Sequence, residues 1–396
     1  MEEENPDPQS PSSENKGTVI EQLRRLLVSS KLNVLLVFVP FGLMAGYFKW
    51  SNLASFFLNG LALIPLAAML GDFTEDIAKR SNEAIGALIN VSFGNATEMI
   101  ISIFAMKAGL FNIIKQSLVG SVLGNMLLVL GCSFLAGGLR SSQTKFNKTA
   151  ANIYCSLLLL AIMSFIIPTA FVQLHGSVKD ILMVSRQIAI VTFLTYCAYI
   201  AFQLVTHKSL FDGIGDSDKD DKNEEKKEGD EDDDDDDEPE FSFLFAIVGI
   251  GIVAVLISIG SDYIVDNIEG AAREWGVSKH FMSVILLPII GNAAEHASAV
   301  TLAYRGRMDL ALGIAIGSSI QISSFVVPLM VLVAWVMGLP LDMNFHPFST
   351  TILFASVLIV NSLVVDGKSH WLEGLMLISA YLMLIIVFVY APDGVD

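Results

Sequence analysis

Two acidic stretches of nearly the same sequence lie far apart in this chain, at residues 94–98 and 291–295. Each has the sequence Gly-Asn-Ala-x-Glu and lies in an apolar run long enough to cross a membrane. A carboxylate is costly to bury in such a run, and ionisable residues inside membrane helices usually mark an ion or proton pathway. Glu98 and Glu295 are therefore the first candidates for functional residues.

The residue types around the two glutamates are those that bind a hard divalent cation. In a helix, an Asn three residues before a Glu lies on the same face. A Gly before each Asn loosens the helix, so that backbone carbonyls are freed as ligands. Carboxylate, amide and carbonyl oxygens are the ligands that Ca²⁺ prefers, and two carboxylates balance its charge. The predicted metal ligands in the two motifs are Glu98, Glu295, Asn95, Asn292, Gly94 and Gly291.

A Gly-Ser pair lies 26 residues after the first glycine of each motif, at 120–121 and 317–318. We predict that Ser121, Ser318 and Gln321 complete the coordination shell, directly or through water. Taken alone, the Gly-Ser pairs are equally compatible with close helix packing, because small residues let membrane helices approach one another.

Three further residues are candidates for the ion or proton pathway. Glu75 follows the second predicted span and Asp262 lies at the far end of the seventh. His296 is adjacent to Glu295, about 100° around the helix from it. Their alternatives are a solvated turn for Glu75, a polar helix end for Asp262 and a packing role for His296.

Other kinds of site have little support in the sequence. The glutamates have no Cys or paired His near them, which argues against a soft-metal site. The chain has no HExxH motif and no Ser/Lys dyad, which argues against an intramembrane hydrolase that would use Glu295 and His296. We therefore predict that the protein is not an enzyme and needs no cofactor. No basic patch with interleaved aromatic residues indicates nucleic-acid binding.

The composition predicts the elements that hold these residues. Of the 396 residues, 53% are hydrophobic and 16% are charged, and the mean hydropathy is +0.60. These values predict an all-α integral membrane protein in a lipid bilayer. The apolar runs predict about 11 transmembrane helices of roughly 20 residues each.

The equal spacing of the two motifs predicts an internal repeat. Five crossings separate the third predicted span from the eighth, so the two units cross the membrane in opposite directions, as in inverted-repeat transporters. The predicted organisation is a disordered cytoplasmic tail (1–20), a first transmembrane helix (21–50), repeat 1 with spans 2–6 (51–206), an acidic cytoplasmic loop (207–240) and repeat 2 with spans 7–11 (241–396).

Most of the negative charge of the chain lies in one loop. Residues 211–240 contain 18 Asp and Glu against 4 Lys, in a chain whose net charge is −17. Such a block is usually disordered and solvated. Lys and Arg outside the block are more frequent on the side of the N-terminal tail. This bias predicts a cytoplasmic N-terminus and acidic loop, with the C-terminus in the lumen.

The motifs resemble those of a known family. Gly-Asn-Ala-Thr-Glu at 94–98, Gly-Asn-Ala-Ala-Glu-His at 291–296 and the acidic loop after the sixth span are similar to those of the CAX cation/proton exchangers of the cation/Ca²⁺ exchanger superfamily. The resemblance implies that Glu98 and Glu295 are the principal Ca²⁺ ligands. It also implies a role for Glu75 in the cytoplasmic pathway and Ca²⁺ storage in the vacuole.

The sequence thus predicts an antiporter of the vacuolar membrane, or of another acidic organelle, that exchanges cytoplasmic Ca²⁺ for lumenal protons. Transport would use alternating access at a mid-membrane site with two glutamates. Protons and Ca²⁺ would compete for the same buried oxygens, because the empty ionised site is costly. The alternative is exchange of another cation, Mn²⁺/H⁺ or Na⁺/Ca²⁺. A homo-oligomer is compatible with the sequence.

Overall fold

The computed structural model describes residues 18–81, 83–174, 177–211 and 239–390. Most of the predicted tail and acidic loop lies outside the described residues, as does the end of the chain after residue 390. The helices are α1 (Val19–Ser29), α2 (Phe38–Tyr47), α3 (Asn52–Lys79), α4 (Glu83–Phe93), α5 (Ala96–Lys107), α6 (Phe111–Leu123), α7 (Leu130–Arg140), α8 (Lys148–Val172), α9 (Val178–Ala201), α10 (Phe243–Trp275), α11 (Leu287–Gly291), α12 (Ala293–Tyr304), α13 (Met308–Gln321), α14 (Val327–Val336), α15 (Pro347–Val364) and α16 (Trp371–Tyr390).

Short irregular segments join several of these helices. Two strands, β1 (Thr144–Lys145) and β2 (Lys368–Ser369), pair antiparallel as a small ribbon between the repeats. The 3-10 segments are Lys31–Val37 and Lys208–Leu210, and the π-helical segments are Gly124–Val129, Phe202–Thr206, Phe281–Leu286 and Ile322–Val326.

Eight continuous helical stretches of the described residues are long and apolar enough to cross a membrane, and two bent pairs raise the number to as many as ten. The prediction of an all-α integral membrane protein is confirmed. Eleven spans are compatible with this structure if α4 and α5 together form the third. The stretch 21–50 differs from the single helix predicted there, because α1 is bent by 106° from Lys31–Tyr47.

The second half of the chain repeats the pattern of elements in the first. Ala96, which begins α5, and Ala293, which begins α12, are 197 residues apart, as are the two Gly-Asn-Ala-x-Glu motifs. The π-helical segments after α6 and α13 occupy matching places. The central helices are α6–α7 and α13–α14, whose most apolar stretches are 83% and 61% buried, against 22% for α9 and α10.

Helices α3 and α10 pack along each other and are joined at both ends. At one end, the Glu274 carboxylate accepts hydrogen bonds from the backbone and side-chain nitrogens of Asn52 (3.1 and 2.8 Å). At the other end, Asp76 accepts from the backbone nitrogen of Phe241 (3.0 Å), and Arg80 donates to the Phe241 carbonyl. This pair is a fixed scaffold beside the two motifs.

Candidate ion-binding site

Each Gly-Asn-Ala-x-Glu motif interrupts a helix. The first break lies between α4 and α5, and the second between α11 and α12, where the axis bends by 61°. At the breaks, Asn95 (φ −108°, ψ 31°) and Asn292 (φ −106°, ψ 11°) leave the helical conformation. A helix end leaves carbonyl oxygens without an intrahelical donor. The carbonyls of Asn95 and Asn292 already accept backbone hydrogen bonds from one turn further along the chain, so the candidate carbonyl ligands are those just before each asparagine.

Hydrogen bonds between the repeats bring the two motifs together. The Asn292 amide donates to the hydroxyl of Ser121 on α6 (3.2 Å). The hydroxyl of Ser318 on α13 donates to the Glu295 carboxylate (3.1 Å) and lies 3.5 Å from the Asn95 amide oxygen. Each motif is therefore in contact with the Gly-Ser pair of a central helix, and the contacts of Asn292 and Asn95 cross between repeats.

The Glu98 carboxylate is buried in this cluster. Its Oε1 atom has no hydrogen-bond partner among the described residues, and neither has the Asn95 amide nitrogen. Glu295, which is partly buried, is close enough to Glu98 for the two carboxylates to repel each other when both are ionised. A buried carboxylate oxygen without a protein donor is satisfied by a proton, a cation or an ordered water.

Gly291 has a spatial role that sequence reasoning missed. A Cβ atom at this position would lie 3.3 Å from Glu98 Oε1, tighter than most such contacts. The glycine therefore leaves room for the carboxylate of the opposite repeat. At the other break, the Gln321 amide lies beside Gly94, with its nitrogen 3.6 Å from the position of a Cβ there.

Asn125 belongs to the same cluster and was also missed. It is buried, and its amide donates to the hydroxyl of Ser318 (3.1 Å). The available signal was its position four residues after Ser121, one helical turn further along the same central span. The nine predicted ligands and Asn125 thus lie in one cluster between the repeats.

The three pathway candidates lie outside this hydrogen-bonded cluster. Glu75 is 60% exposed and forms an ion pair with Lys79 (3.2 Å). Asp262 is exposed on α10, and its charge interacts with those of Asp266 and Lys107. His296 is partly buried on α12, and the hydrogen bonds that join the cluster do not include its ring.

Within the described part of the chain, no group of three or more His, Cys, Asp or Glu side chains is arranged to hold a metal ion. A cation between Glu98 and Glu295 would therefore also need amide, hydroxyl or carbonyl oxygens. These oxygens surround the two carboxylates, and they suit a hard cation better than a soft one.

In the part of the chain that the structure describes, helix packing closes one end of the cluster and no equivalent packing is found at the other. Gly120 on α6 packs directly against the Val284 carbonyl and Pro288 of the second repeat. One turn further out, the Gln116 amide donates to the His280 ring (2.8 Å). Among the described residues, α13 does not pack along α4 in the matching way, and nothing lies within 4 Å of a Cβ at Gly317. The open end is the one at which α3 ends.

A family profile described as sodium/calcium exchanger protein matches residues 51–205 and 245–390. The chain belongs to this family. It is 41% identical to the vacuolar calcium ion transporter of Schizosaccharomyces pombe, over 95% of this chain and 88% of that protein. It is 38% identical to the Ca²⁺/H⁺ antiporter of Synechocystis, over 91% of this chain and 97% of that protein.

Solved structures of related proteins have the same fold. The structure of native YfkE superposes with a TM-score of 0.76 at 31% identity, over 90% of this chain and 99% of that one. The H⁺/Ca²⁺ exchanger CAX superposes with a TM-score of 0.66 over 94% and 89% of the two chains, at 16% identity, and shows the fold alone. The predicted family is confirmed, and this exchanger family member is a multi-pass membrane transporter and not an enzyme.

Proposed function

We propose that this protein is a Ca²⁺/H⁺ antiporter of the vacuole or another acidic organelle, which moves cytoplasmic Ca²⁺ into the lumen in exchange for protons. The names of the fungal and cyanobacterial relatives support the two transported ions, and the fungal name supports the vacuole. The observation that carries the proposed site is the buried Oε1 of Glu98, which has no hydrogen-bond partner in the described part of the chain and lies beside Glu295. The Mn²⁺/H⁺ and Na⁺/Ca²⁺ alternatives are tested below.

Competition between the two ions follows from the burial of the carboxylates. Ca²⁺ between Glu98 and Glu295 is balanced by two negative charges, and protons neutralise the same charges when Ca²⁺ leaves. The empty ionised site would hold two repelling charges away from water, which is a costly state. Reorientation of the site with neither ion bound is therefore disfavoured, and this couples the two fluxes.

Alternating access would exchange the packing at the two ends of the cluster. In the described conformation, ions reach the site at the end where Gly94 is exposed and α13 is not packed along α4. We assign this end to the cytoplasm, together with the N-terminus, and we assign the C-terminus to the lumen. In the opposite conformation, α4 would pack against Gly317 while the Val284 segment leaves Gly120.

The test is Ca²⁺ uptake by the purified protein in vesicles with an acidic interior. We expect uptake to require the proton gradient, to fall when an ionophore dissipates it, and to be accompanied by alkalinisation of the interior. A Na⁺ gradient of the same direction and size is the matched control. Uptake that the Na⁺ gradient drives, or that persists without any gradient, would contradict the proposal. Stronger competition by Mn²⁺ than by Ca²⁺ itself would favour the alternative substrate.

Asn125→Ala is expected to raise the KM for Ca²⁺ uptake about fivefold with little change in kcat, because one neutral hydrogen bond is worth about 1 kcal/mol. The lost bond holds the Ser318 hydroxyl that donates to Glu295. Ser133→Ala is the control, since Ser133 is fully buried and its hydroxyl has no partner among the described residues. Equal KM values for both variants would remove Asn125 from the site.

A further inference from the structure

Helix α1 packs against the outside of the helix bundle by one side, and another side of it is apolar and exposed. Gln22 and Leu26 are buried against the rest of the protein. At 100° per residue, an exposed apolar stripe lies next to this buried side, and Arg25 and Ser29 point away from the stripe. The exposed apolar residues of α1 are Val19 (67%), Ile20 (78%), Leu23 (47%), Leu27 (48%) and Val28 (76%).

The direction of α1 relative to the first span is fixed by specific bonds. Its axis makes an angle of 106° with Lys31–Tyr47, so it runs nearly parallel to the membrane surface if that segment crosses the bilayer. The Gln22 side chain accepts a hydrogen bond from the backbone nitrogen of Ser242 (2.8 Å). The Asn33 amide donates to the Leu26 carbonyl (2.6 Å). The stripe is therefore held in one orientation at the level where the first span begins.

The charges of α1 favour an anionic surface. Arg25 is exposed on the side away from the stripe, Arg24 is exposed at the edge of the stripe beside Ile20, and Lys31 follows the helix. The helix has one acidic residue, Glu21, whose side chain caps the first turn. Helices with one apolar side and a polar side that carries basic residues are typical of the boundary between headgroups and acyl chains. Anionic lipids attract such basic residues.

We propose that α1 is an interfacial helix that binds anionic lipid headgroups on the side of the N-terminus, with Ile20, Leu23 and Leu27 buried at the headgroup boundary. The acidic loop complements the arginines in charge, but its run of Asp residues supplies no apolar side chains to match the stripe. Because Gln22 is bonded to Ser242 at the start of α10, the lipid contact also anchors the scaffold helix pair. The inference does not depend on the transported ion.

The test uses the full chain reconstituted in vesicles, with Cys132, Cys155 and Cys197 replaced by Ala. A single cysteine at Leu27 carries an environment-sensitive fluorophore, and Ser29→Cys, on the opposite side of α1, is the matched control. We expect lipids with brominated acyl chains to quench the label at 27 and aqueous iodide to quench the label at 29. Iodide access to position 27 would overturn the proposal. Protection of position 27 from iodide without quenching by brominated lipid would also overturn it, since a protein segment or second copy would then cover the stripe.

The charge requirement is tested in the same system. Adding phosphatidylserine to phosphatidylcholine vesicles should increase lipid quenching at position 27 about twofold in the parent and in the Arg24→Lys/Arg25→Lys variant. The increase should disappear in Arg24→Gln/Arg25→Gln. An equal response of the two variants would refute the role of the arginines, and no response in the parent would refute the preference for anionic lipid.

Discussion

Replacing Glu98 with Gln is expected to reduce proton-driven Ca²⁺ uptake at least about 100-fold. The substitution keeps the shape of the side chain and removes one of the two charges that would balance the ion. A hydrogen bond to a charged group is worth up to about 3 kcal/mol, and each 1.4 kcal/mol of binding free energy changes the affinity about tenfold. Glu295→Gln should have a similar effect, and the double variant should be no worse than the more severe single variant, because the two carboxylates act on one ion.

Initial rates of uptake and the melting temperature of each variant are the measurements. Since Gln removes a buried charge, we expect the melting temperature to stay level or rise, which would separate lost function from lost folding. Asp366→Asn is the matched control, because Asp366 is exposed in the turn before β2 and should leave uptake unchanged. Uptake within about threefold of the parent in either glutamine variant would exclude the two-glutamate site.

Gly120→Ala and Gly317→Ala occupy matching positions and are expected to behave differently. A Cβ at Gly120 would collide with the Val284 carbonyl and lie 2.7 Å from Pro288 Cγ, whereas no atom of the described residues lies within 4 Å of a Cβ at Gly317. Overpacking typically costs about 1–3 kcal/mol, so Gly120→Ala should lower the melting temperature by several degrees. Gly317→Ala should leave it unchanged.

Measurements of transport distinguish a glycine that is needed for stability from one that is needed for gating. If the opposite conformation packs α4 against Gly317, Gly317→Ala should slow uptake about tenfold at unchanged stability. The added methyl group would destabilise only that opposite conformation, whereas the melting temperature reports the described one. Leu128→Ala, a partly buried apolar change in the π-helical segment after α6, controls for a general loss of packing. Normal uptake by Gly317→Ala would argue against symmetric exchange of the two gates.

The sequence predicted much of the fold and most of the residues that cluster at the candidate site, because a membrane restricts both. Buried carboxylates are too costly to occur by chance, so Glu98 and Glu295 could be recognised without a structure. The equal spacing from each motif to its Gly-Ser pair predicted the repeat that places Ser121 and Ser318 beside the motifs. The tail and the acidic block, predicted to be disordered, lie outside the described residues, and their conformation stays a prediction.

Contacts between segments distant in the chain escaped sequence reasoning. The hydrogen bond from Asn125 to Ser318 joins different repeats, and periodicity within one span does not reveal it. Glycine at position 291 was expected to loosen its own helix, yet it also makes room for Glu98 of the other repeat. The bend after α1 depends on bonds to residues 33 and 242, which local hydropathy does not predict.

The sequence by itself determined the all-helical membrane class, the repeat and the pair of glutamates, since hydropathy, spacing and the cost of buried charge are local properties of the chain. Only the tertiary structure decided that, among the described residues, Glu98 Oε1 has no partner and Gly120 is packed while Gly317 is not. Two repeats of like sequence can pack differently, because a closed gate requires a neighbour from the other repeat. That neighbour is determined by the fold and not by the motif.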